Sequence, residues 1–68
     1  MYTQKELQEA KRQIDSTLHK LHETVRTLEA KEEAHRYRSQ LTLARRRIEA
    51  FTIAVRPIER ELAEKNQE

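Results

Sequence analysis

The stretch Leu28-Glu29-Ala30-Lys31-Glu32-Glu33-Ala34-His35-Arg36-Tyr37 decides the fold of this chain. Up to Leu28 a three-four apolar rhythm runs through Leu7, Lys11, Ile14, Leu18, Leu21, Val25 and Leu28, with Lys11 its only polar member. Continuing that rhythm calls for apolar residues at 32 and 35, where Glu32 and His35 stand. The rhythm resumes instead as Ala34, Tyr37, Leu41, Ala44, Ile48, Phe51, Val55, Ile58 and Leu62. It has slipped by two residues, about 200° around a helix. One straight helix would carry its apolar stripes on opposite sides, so the spacing predicts that the chain folds back on itself.

Thr3 with Glu6 three residues later forms a capping box before Leu7. The reading is all-α: helix one over about 3–33, a turn within 33–38, and helix two over about 38–65, all in one domain spanning 1–68. Pairing the stripes antiparallel about the Ala34/His35 boundary sets Leu28 against Leu41, Val25 against Ala44 and Leu21 against Ile48. It then sets Leu18 against Phe51, Ile14 against Val55, Lys11 against Ile58 and Leu7 against Leu62, as in an antiparallel coiled coil. Glu29 is expected to face Arg38 beside the turn. Pro57 interrupts this regularity, because it removes a helix hydrogen bond, and the expectation is a kink or an interruption of helix two there.

Composition narrows the functional classes. The 68 residues include no Gly, no Cys, one Pro and 38% charged side chains, with a mean hydropathy of -1.06. Without Gly, phosphate-cradling loops and dinucleotide fingerprints are out of reach. Without Cys there are no disulfides or thiolate metal sites. No apolar run suits a membrane span or a signal peptide, so the expectation is a cytoplasmic protein without membrane attachment. No cofactor is indicated. No catalytic constellation stands out either, so the chain is not read as an enzyme.

A lone hairpin of this size sits near energetic balance, which directs attention to a second strip. Leu43, Ala50, Ile53, Ala54 and Pro57 lie off the main seam of helix two, while Ala10, Thr17 and Thr24 recur every seven residues on helix one. These residues form the candidate oligomer interface, most simply of a homodimer in which two hairpins make a four-helix bundle. The functional expectation is a self-associating protein-interaction or assembly module.

The alternative is a small basic nucleic-acid-binding bundle. Arg36, Arg38, Arg45, Arg46 and Arg47 occupy a stretch free of acids between Glu33 and Glu49, and guanidinium forks suit phosphate. Against it, helix one's closing acids are near enough to neutralise some of them, and three consecutive arginines fan over about 200°. His19, His22 and Glu23, with Asp15, share a helical face and are the only metal-ligand candidates, without a second cluster to complete a site.

Three resemblances bear on this reading. Ser39-Gln40-Leu41-Thr42-Leu43, Arg47-Ile48-Glu49-Ala50, Ile53-Ala54 and Ile58, with Ile14-Asp15-Ser16-Thr17-Leu18, resemble a group of short uncharacterised bacterial helical proteins. That resemblance implies a helical hairpin and no assigned activity. Arg12-Gln13-Ile14-Asp15 is faintly similar to the opening helix of the all-helical chorismate mutases, but a third helix and room for their pocket are missing. The expected architecture also resembles the dimeric RNA-binding hairpins that regulate plasmid copy number, a likeness of fold alone.

Overall fold

A computed structural model describes residues 1–66, and its side-chain burial covers residues 1–65. The described chain is all-α. Helix α1 spans Gln4–Glu29, a short 3₁₀ helix η1 spans Ala34–Tyr37, and helix α2 spans Arg38–Asn66. The two long helices pack along one another in an elongated body of 52 × 16 × 14 Å.

The start of α1 is fixed chemically. The Glu6 backbone N–H donates to the Thr3 hydroxyl at 3.1 Å, and the Thr3 backbone N–H donates to the Glu6 carboxylate at 3.0 Å. Two otherwise unpaired amides are thereby satisfied. The Thr3 amide, seconded by its hydroxyl, holds the Glu6 carboxyl below the usual carboxylate range.

The end of α1 departs from expectation. The helix stops at Glu29, not near 33, and the reversal occupies residues 30–33 before η1 begins. Ala30 keeps helical dihedrals, and its N–H still reaches the Arg26 carbonyl at 3.1 Å. Lys31 N–H then bonds the Leu28 carbonyl at 3.3 Å, a tighter pattern that closes the helix. Glu33 (φ −108, ψ 50) breaks the spiral and opens the 3₁₀ turn, with Arg36 N–H on its carbonyl at 2.9 Å. No described residue has a positive φ, so the corner is built without the left-handed conformation that usually recruits glycine. Lys31 Nζ stands 5.8 Å from the Tyr37 ring centroid, a cation–π contact across the corner.

Among the described residues, three polar contacts between α1 or its approach and α2 mark the antiparallel course. Glu29 pairs with Arg45 near the turn. Lys11 Nζ lies 3.4 Å from the Glu59 carboxylate, and at the open end Lys65 Nζ donates to the Tyr2 carbonyl at 2.8 Å. The expected Glu29–Arg38 pair is replaced by Glu29–Arg45. Arg38 and Arg45 are seven residues apart and share a side of α2. What separates them is height along the helix: Arg45 lies two turns, about 10 Å, further from the corner than Arg38.

Every buried side chain among the described residues belongs to the seam: Leu7, Leu28, Leu41, Ala44, Val55 and Leu62. Burial is concentrated at the two ends. Ile14, Leu18, Leu21, Ile48 and Phe51, in the middle, are only half-buried. The turn end is helped by the half-buried Ala34 and Tyr37, and the open end by the Lys65–Tyr2 contact. Two helices cover each seam residue from one direction only, so the middle layers keep a flank toward solvent.

Helix α2 runs unbroken past Pro57, so the expected interruption does not occur. Pro57 has no N–H to offer the Ile53 carbonyl, yet the seam continues through Ile58 to the buried Leu62.

Candidate interaction surface

The two flanks of the seam differ in chemistry. On one flank lie the two ion pairs that join the helices among the described residues, Glu29–Arg45 and Lys11–Glu59. Lys11 also donates to Asp15 at 2.6 Å on its own helix, which, ahead of the Glu59 contact, raises its pKa above the ordinary lysine value. The only polar position of the apolar rhythm thus leans out of the seam and ties the helices at their surface. Glu59 carries no motif, and only the three-dimensional pairing reveals its part.

The opposite flank combines short side chains with Leu43, Arg47 and Glu61. On α1 it carries Ala10 and Thr17, both half-buried, and the exposed Thr24, whose hydroxyl is engaged with the Lys20 carbonyl at 3.0 Å. On α2, Leu43, Arg47, Ala50, Ala54, Pro57 and Glu61 follow one another at alternating intervals of four and three residues. That spacing stacks them in a second stripe about 110° around α2 from the seam. Leu43 is 48% exposed, and Ala50 and Ala54 are also exposed. Ile53, 61% exposed, lies almost opposite the seam and forms the stripe's outer edge. Alanine and threonine are too short to reach across and shelter the middle layers, which explains why Leu18, Leu21, Ile48 and Phe51 stay half-open. At the open end, Leu7, Ala10 and Ile58 line a shallow groove of 1060 Å³ with polar residues of the first turns of α1.

The arginines divide into two sets. Arg36 pairs with Glu33 at 2.6 Å and Arg45 with Glu29, so two of the five are neutralised by acids from the end of α1 and the reversal. Arg38, Arg46 and Arg47 have no ion pair within 4 Å among the described residues, and they spread over about half the circumference of α2. His35, Arg38 and Arg45 line a notch of 410 Å³ under the turn, but Glu29 lines it too and holds Arg45.

His19 and His22 are exposed on α1. Glu23 lies 3.6 Å from Arg26, and Asp15 is bound by Lys11. Among the described residues no three His, Cys, Asp or Glu side chains are grouped to hold a metal ion. Nor is any described helix long and apolar enough to cross a membrane. No family model matches the chain, and no curated protein or solved structure is significantly similar to it.

Proposed function

We infer that the protein is a non-enzymatic assembly module of the cytoplasm, a helical hairpin that self-associates through its short-side-chain flank into a four-helix bundle. The reading rests on one observation: the flank that carries no helix-joining ion pair among the described residues leaves Leu43 about half exposed and the central seam layers partly open. A second pair of helices would remove that apolar surface from water at roughly 25 cal/mol per Å². In the same reading α2 bends at Pro57, where the Ile53 carbonyl lacks its helical donor. The resemblance to short bacterial helical proteins agrees with such a module and adds no activity to it.

Sedimentation velocity over a wide concentration series tests the reading. A shift toward twice the monomer mass as concentration rises is expected; a folded chain that stays monomeric throughout refutes it.

The second reading, a nucleic-acid-binding bundle, draws on Arg38, Arg46 and Arg47, which lack intramolecular ion pairs among the described residues. Their dispersal around α2 favours it less than a single basic face would. It requires RNA or DNA binding that weakens with salt and is lost when Arg45, Arg46 and Arg47 are changed to Glu. Binding indifferent to both removes it.

A further inference from the structure

Helix α2 carries its charges unevenly along the stripe. Arg47 stands toward the turn, Glu61 and Glu64 toward the open end, and the small residues Ala50, Ala54 and Pro57 lie between them; Arg46 and Arg60 lie outside the stripe, on the outer face with Ile53. Arg47, Glu61 and Glu64 have no ion pair within 4 Å among the described residues. A stripe basic at one end, acidic at the other and small in the middle is complementary to its own reverse. It repels its own parallel copy, which would set Arg47 on Arg47 and Glu61 on Glu61.

Resting on the self-association proposed above, we propose that the occupant of this stripe is a second copy of the chain docked with α2 antiparallel to α2. The two-fold axis passes close to Ala54, and Arg47 of each copy faces Glu61 of the other, within a turn of Glu64. A two-fold interface pairs each surface with itself, so one Arg47–Glu61 contact is made twice. Ala50 and Ala54 at the centre let the helix axes approach toward the short end of the usual 8–10 Å range. Leu43, at the outer part of the stripe, is then covered by the acidic end of the other copy, whose side chains have aliphatic stems. The ionic flank, with Glu29–Arg45 and Lys11–Glu59, faces away and stays within each hairpin.

Charge exchange tests the orientation. Arg47→Glu alone and Glu61→Arg alone should each weaken dimerisation about tenfold, since two symmetry-related attractions become repulsions. The double variant Arg47→Glu/Glu61→Arg should return close to the wild-type dissociation constant. If the wild type dimerises and both single variants dimerise as tightly, the antiparallel docking is overturned while self-association stands. If the wild type is monomeric, both fall. A second measurement is independent of interface charge: Ser39→Cys, spin-labelled in a chain with no other cysteine. Antiparallel docking about Ala54 separates the two labels by about 40–50 Å at 1.5 Å per residue. A short distance, near helix contact, overturns the proposal.

Discussion

Leu28→Ala probes the fold at its most informative point. Leu28 is 8% exposed, and its expected layer partner Leu41 is likewise 8% exposed. Burying a leucine side chain stabilises by roughly 1.5–3 kcal/mol, and truncation to alanine in well-packed cores costs about 2–5 kcal/mol. A two-helix seam is open to water at its edges and can relax around the lost volume, so the lower part of that range applies, about 2–3 kcal/mol. For a domain of this size each kcal/mol moves the midpoint by roughly 4–8 °C, giving a fall of about 10–20 °C. Circular dichroism melts at one fixed protein concentration measure it, because self-association makes the midpoint depend on concentration. Thr27→Ala, at an exposed neighbour, is the control. The cycle with Leu41→Ala adds a sharper criterion: touching residues couple by about 0.5–3 kcal/mol, distant ones by less than about 0.5. If Leu28→Ala costs no more than the control, or the two leucines act additively, the layer pairing is wrong.

Other outcomes follow from the same structure. Pro57→Ala restores the N–H that the Ile53 carbonyl lacks and should raise stability by about 1–3 kcal/mol, read in urea melts; a loss would show that proline's shape is needed where it stands. Lys11→Leu should raise the melting temperature, since it completes the apolar rhythm and gives up only surface ion pairs; a lower midpoint would mean that Lys11 is a required tie between the helices. The carboxyls of Glu6, held down chiefly by the Thr3 amide, and Glu9, held down chiefly by Arg12, titrate below their unfolded values. Their stabilising contribution is therefore complete above the ordinary carboxylate pKa of about 4.3 and disappears as pH falls through the folded values. That contribution to helicity should hold from neutral pH down to about 4.3 and decline below it, and carbon-13 titration of Glu9 should shift upward in Arg12→Ala; an unshifted Glu9 would refute the Arg12 contact.

The seam and the helix start were legible because each is dictated locally. Leu7 to Leu28 and Leu41 to Leu62 follow a strict period, and the Thr3/Glu6 box needs only two side chains three residues apart. The corner was not legible to the residue, because 30–33 contains no glycine or proline to punctuate it, and helical propensity alone carries α1 too far. Its true end depends on how Glu33 and η1 turn the chain, a tertiary result. The partner of Glu29 is Arg45 and not Arg38, two arginines that a helical repeat places on one side and cannot rank. Lys11 shows the remaining limit. The rhythm placed it in the seam, but its two carboxylate partners, Asp15 and Glu59, and the outward lean they cause belong to the folded pair.

A corner in which every described backbone angle lies on the ordinary negative-φ side makes no demand for glycine. Residues 30–33 are consequently a natural place to splice in a reporter peptide or an affinity handle. Such an insertion lengthens a surface loop, whose entropic cost grows only slowly with size, and leaves the leucine layers on either side undisturbed.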